Sequence, residues 1–97
     1  MAEKIMDFDI AAHLVTDADI VEYLAAAFET GEVGDVTHAL ATIARAKGMT
    51  ETAKSAGLSR GSLYKAVGAG ANPTLSTLLS VLDALNVTLS VKPKLAA

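Results

Sequence analysis

The chain has 97 residues, enough for one domain around a single modest core and too few for two. Its residues are 52% apolar, with alanine heavily used and no cysteine; this predicts a thin, helix-rich core and excludes disulfides, a thiol nucleophile and a cysteine-based zinc site. A net charge of -3 argues against non-specific nucleic-acid binding over the whole surface, and with no membrane-length apolar run and no signal-peptide pattern a cytoplasmic protein is expected.

The opening stretch, MAEKIMDFDIAAHLV, follows neither helical nor strand periodicity cleanly. A short strand over Lys4 to Phe8 is one option, with Ile5, Met6, Phe8 and Ile10 along the core. Thr16 and Asp17 form a capping pair, with Asp19 in the first turn, for a helix from Ala18 to Glu29 that stops before Gly31. Its inner stripe is Ile20, Leu24, Ala27 and Phe28, while Asp19, Glu22 and Glu29 fall off that stripe and make the outer face acidic. A second helix starts after Asp35 and runs to Lys47, with Gly48 just past its end. Val36, Leu40 and Ile43 point inward, and Thr37, His38 and Arg45 fall on the opposite side.

From Met49 to Gly68 the spacing is that of two short helices crossing steeply. Small or apolar residues stand at Met49, Ala53, Ala56, Leu58, Leu63 and Ala66, with Gly57 in the turn, which is a helix-turn-helix pattern. Ala53 lets the second helix approach, Gly57 ends the first helix with a positive φ, and Ser59 caps the second. Leu63, Ala66 and Val67 then share one side, and Gly61, Ser62, Tyr64 and Lys65 the other. The loop GAGANP follows, and Thr74 caps a helix from Leu75 to Leu85 with Leu75, Leu78, Leu79, Leu82 and Leu85 as its buried stripe. In the tail, Val87, Leu89 and Val91 alternate with Thr88 and Ser90, which is strand periodicity, and Pro93 ends the run. A lone strand needs a partner: either Lys4 to Phe8, or, the favoured reading, the same strand of a second copy, which makes Val87, Leu89 and Val91 dimerisation residues of a homodimer.

Charge is unevenly distributed along this frame. Residues 1–44 hold nine acids and one base, whereas residues 45–65 hold five bases (Arg45, Lys47, Lys54, Arg60 and Lys65) and one acid. The basic segment coincides with the helix-turn-helix, where phosphates would be met. Entering DNA with its N-terminus first, the second helix brings backbone N–H groups near phosphate, and Gly61, which costs about 1 kcal/mol in a helix relative to Ala, permits close approach. Arg60 and Lys65 can donate to phosphate or guanine, Ser62 to base or backbone, and Tyr64 can bond phosphate or touch a thymine methyl. Ser59 at the cap and Lys54 and Ser55 on the first helix complete the DNA-binding set. The acidic face of Asp19, Glu22 and Glu29 is either a solvated surface or a docking face for a basic protein.

The run AGLSRGSLYKAV, followed by NPTLSTLLSVLDALNVTLSV, resembles the probable addiction-module antidote proteins, HigA-like antitoxins of the Xre/Cro helix-turn-helix class. The segment from FDIAAHLV to MTETAK is also similar, so the resemblance covers nearly the whole chain. It implies a protein that neutralises a small basic toxin of the RelE/HigB type and, as a dimer, binds double-stranded operator DNA. Many Xre-class proteins open the first motif helix with a phosphate-contacting Gln; this chain has Thr50-Glu51-Thr52 there, so that contact is not carried over.

The expected fold is therefore all-α, a five-helix Xre/Cro-like bundle with a short C-terminal strand, in one domain over 1–97. Residues 1–34 form an N-terminal extension with the acidic helix, 35–86 the helix-turn-helix bundle, and 87–97 the strand and tail. Enzymatic readings find no support. His13 and His38 lie far apart without a metal-ligand spacing, GAGAN lacks the lysine of a phosphate-binding loop, and no cofactor or metal is expected. Two alternatives stay open: a helix-turn-helix regulator without a toxin partner, and a protein-interaction module that does not touch DNA.

Overall fold

A computed structural model of the chain describes residues 12–95. Five helices lie within them: α1 (Asp17–Glu29), α2 (Val33–Lys47), α3 (Met49–Ala56), α4 (Arg60–Ala66) and α5 (Leu75–Ala84). The expected strand over Lys4 to Phe8, and the core positions Ile5, Met6, Phe8 and Ile10, fall outside the described residues.

Each helix begins or ends where local chemistry dictates. Thr16 caps α1 by accepting from the Asp19 backbone N–H at 3.1 Å, while the Asp19 carboxylate accepts from the Thr16 N–H at 2.9 Å, a reciprocal capping box. Ser59 and Thr74 do the same one-sidedly for α4 and α5, accepting from the N–H groups of Ser62 and Thr77. Between α3 and α4, Gly57 takes φ 72°, a left-handed conformation. The Leu58 N–H can then reach the Ala53 carbonyl at 2.9 Å, which closes α3 and turns Leu58 toward the core. Asn86 ends α5 the same way at φ 64°, with the Val87 N–H on the Leu82 carbonyl. The second helix starts earlier than expected: Asp35 lies in its first turn, and the Glu32 carbonyl accepts from the N–H groups of Asp35 and Val36.

The core runs along α2, against which α1 and α3 pack, with α4 and α5 closing over α3. Leu40, Ile43, Leu63, Leu82 and Leu85 are its fully buried large residues, and alanines at 39, 41, 44, 53 and 66 let the helices approach closely. Such a core is thin, as the composition predicts. Thr37 corrects the expected facing of α2: it is buried, its hydroxyl donates to the Gly34 carbonyl, and its own carbonyl accepts from the Gly68 N–H at 3.0 Å. A polar residue is tolerated there because both of its groups are hydrogen-bonded, one within α2 and one to Gly68 beyond the end of α4.

Two further corrections concern the C-terminal third. Leu75 and Leu79, assigned to the buried stripe of α5, are 67% and 46% exposed, and Val81 is buried instead. The true stripe is Leu78, Val81, Leu82 and Leu85, an i, i+3, i+4, i+7 set rotated from the one expected. The run Val87 to Val91 is not a strand among the described residues, because no described segment pairs with its backbone. Val87 packs on the core, Leu89 is 40% exposed and Val91 is 99% exposed, so the three do not jointly cover the bundle. The tail instead runs beside α1. Asn86 donates to the Asp17 carboxylate at 3.1 Å, the Lys92 ammonium meets the Glu29 carboxylate at 2.8 Å, and Val21, Leu24, Ala25 and Phe28 form the helical wall of the groove between them.

Candidate nucleic-acid interface

The outer face of α4 is built by fixing its inner face. Leu63 is fully buried, and Ala66 and Val67 are buried beside it. The α3–α4 turn holds one end of the helix through Leu58 and Ala53, and the Gly68 N–H bonds the other end to α2. A seven-residue helix would not be stable alone; here tertiary packing sets its axis. Arg60, Gly61, Ser62, Tyr64 and Lys65 consequently all reach the surface, as their spacing predicts, together with Ser59 and with Lys54 and Ser55 on α3.

These residues are not equivalent. The Ser59 hydroxyl accepts from the Ser62 N–H at 3.0 Å and donates to the Ser62 hydroxyl at 2.9 Å, so Ser59 serves the helix first. Lys54 and Lys65 form no ion pair among the described residues, so their charge faces solvent. The Arg60 guanidinium donates to the Tyr64 hydroxyl at 3.4 Å and lies 5.6 Å from the ring centroid, a contact the sequence reading missed although the i, i+4 spacing announces it. Gly61 lies in regular helix, and a Cβ at this position would meet nothing within 4 Å. Nothing among the described residues requires glycine there.

The acidic set is dispersed by its internal commitments. Asp19 is bound into the cap of α1: Thr16, through its backbone N–H and then its hydroxyl, and Val15, through its N–H, hold the Asp19 carboxyl below its ordinary range. Glu29 is likewise lowered, by its hydrogen bond to Lys92 and then by that residue's charge, and Lys92 is raised in return. Glu22 alone of the three has no such engagement on the described surface. No helix of the described residues is long and apolar enough to cross a membrane.

Residues 4–93 match the family model described as probable addiction module antidote protein. The chain is also 39% identical over 92 residues to an uncharacterized protein of Haemophilus influenzae, covering 95% of each chain. No solved structure matches it.

Proposed function

The chain belongs to the probable addiction module antidote family, and from that premise we propose that it is a DNA-binding antitoxin that captures a small basic toxin of the RelE/HigB type and represses its own operon. The family is one of antidotes, not of enzymes, and an antidote implies a toxin partner. What carries the DNA half of the proposal is the outer face of α4, where Arg60, Ser62, Tyr64 and Lys65 project from a helix that Leu63 anchors. In a major groove, Arg60 and Lys65 meet phosphate or guanine, Ser62 a base edge, and Lys54 and Ser55 the flanking backbone. The bare surface at Gly61 lets the duplex come close. Replacing it with alanine is therefore expected to leave the fold intact or stabilise it while weakening DNA binding, a split that a purely structural glycine would not give.

Two copies read a palindromic site best when their α4 helices stand about 34 Å apart, one turn of the duplex. We assign that pairing to the tails, with the 87–91 backbones antiparallel across a two-fold axis and Val87, Leu89 and Val91 on the face toward the bundles. Leu89→Pro removes one donor from that ladder and is expected to halve the mass seen by light scattering; a monomeric wild-type protein at micromolar concentration would refute the pairing.

For the toxin, the acidic face of α1 supplies steering, which acts on the association rate more than on affinity. Because Asp19 caps its helix and Glu29 holds Lys92, Glu22→Lys is the clean probe. It is expected to slow toxin capture and flatten its salt dependence. Co-expression with the product of the adjacent gene, followed by a gel shift on the shared promoter, tests the whole reading. A regulator without a toxin would shift the promoter and capture nothing; an interaction module would capture a partner and shift nothing.

A further inference from the structure

The contact between Arg60 and Tyr64 is the one side-chain arrangement on the α4 face that the helix itself does not need. Ser59 and Ser62 complete a cap, and Leu63 and Ala66 pack inward, but the ring of Tyr64 is 52% exposed and is not among the side chains packed on the core. Its partner is a guanidinium one helical turn back, with Nη2 donating to the phenol oxygen at 3.4 Å and the central carbon 5.6 Å from the ring centroid. A solvated tyrosine gains little from stacking for its own sake. The arginine gains more, because a long, rotamer-rich side chain is narrowed to a few conformations before anything binds.

We propose that Tyr64 is a positioning residue, which holds the Arg60 guanidinium stacked and aimed so that its remaining N–H groups meet the nucleic acid in a preset geometry. This rests on the reading of α4 as the DNA-facing helix. One of the five guanidinium donors is spent on the phenol oxygen, and four remain, including a parallel pair suited to the two acceptors of a guanine edge or of a phosphate. The hydrogen bond and the ring contact together restrict the guanidinium, and a planar fork recognises its target only when its orientation is right. Tyr64 accordingly acts through Arg60 rather than through a contact of its own.

The test uses the full chain and a duplex carrying the promoter upstream of its own gene, titrated over a range of salt with the wild type, Tyr64→Phe, Tyr64→Leu, Arg60→Ala and the Arg60→Ala/Tyr64→Leu double variant. Tyr64→Leu is expected to weaken binding about two- to five-fold with the salt slope unchanged, since no charge is lost. Tyr64→Phe, which keeps the ring, should retain most of the affinity, and Tyr64→Leu should cost nothing further once Arg60 is gone. In the protein without DNA, the side-chain protons of Arg60 should show a ring-current shift that persists in Tyr64→Phe and vanishes in Tyr64→Leu. Additive losses would overturn the proposal in favour of a direct contact by Tyr64, because a residue that acts only through Arg60 has nothing left to lose once Arg60 is gone. Equal affinity of all the Tyr64 variants would overturn it as well. If the wild type binds no promoter DNA while the ring-current shift is present, the DNA reading itself fails and takes the positioning role with it.

Discussion

Helices α1 and α4 are both capped at their N-termini by a hydroxyl side chain, and both press one face into the same core, yet they spend their charges in opposite ways. On α1 three of the four charges turn back on the protein: Asp17 meets Asn86, Asp19 closes the cap, and Glu29 grips Lys92, while Glu22 stays exposed. On α4 the cationic side chains turn outward: among the described residues Lys65 is in no ion pair and Arg60 is held by the neighbouring Tyr64 side chain. Charge in the first helix maintains structure, and charge in the second is left available. Counting acids and bases along the sequence cannot reveal this difference, because it depends on where each side chain's partner lies.

The comparison is most sharply broken from the inner face of α4. Leu63→Ala removes a fully buried side chain and is expected to cost about 2–5 kcal/mol, a large share of what a domain of this size possesses, read as a fall in the urea midpoint. On the outer face the opposite pattern is expected. Arg60→Ala and Lys65→Ala should leave the urea midpoint in place and weaken promoter binding, by about 1–3 kcal/mol where the side chain reads a base, or with a salt slope reduced by about one where it meets phosphate. If either variant loses stability instead, α4 is using its charges as α1 does.

Next in size come the charges of α1. Thr16→Ala breaks the capping box and should cost about 1 kcal/mol of stability with promoter affinity unchanged. The smallest effect is that of pH. Asp19 and Glu29 have carboxyls lowered in the folded state, so their contribution is complete above their ordinary values of 3.8 and 4.5 and is lost as pH falls through the lower folded values. Acidification below about pH 4 should therefore loosen α1 and the tail first, visible as a pH-dependent decline in stability that Asp19→Asn and Glu29→Gln each reduce. Lys92 works in the other direction: raised above 10.5, it contributes fully below that value and is lost only at more alkaline pH.

Local features were legible in the sequence because their causes are local. The caps at Thr16, Ser59 and Thr74, the left-handed Gly57 and the division of α4 into an inner and an outer face all follow from a few adjacent residues. What was misread needed a partner. Four leucines in α5 and a fifth at its C-cap span more than one stripe, and only the position of α3 decides that Leu78 and Val81 turn inward while Leu75 and Leu79 do not. Alternation from Val87 to Val91 is compatible with a strand, but a strand exists only by virtue of the chain beside it. Thr37 looked like a surface residue because the group that needs its carbonyl, the Gly68 N–H, lies 31 positions away. Of the candidate interface, the residue types were readable, but the Arg60–Tyr64 contact was missed although its i, i+4 spacing permits it, and the engagement of Asp19 and Glu29 followed only from the folded arrangement.

The bond from Asn86 to Asp17 ties together side chains 69 positions apart and so brings the first and last helical segments to the same place. The entropy of closing a loop grows only with the logarithm of its length, so this long closure costs little more than one of half the span. A covalent link here would instead be worth on the order of 4 kcal/mol, taken from the unfolded chain rather than added to the folded one. The protein makes this junction with an exposed hydrogen bond, supported along the same tail by the Lys92–Glu29 ion pair. The start of α1 and the end of α5 thus meet without being locked, and a fluorophore pair placed on either side of that junction would report their separation before the helices themselves melt.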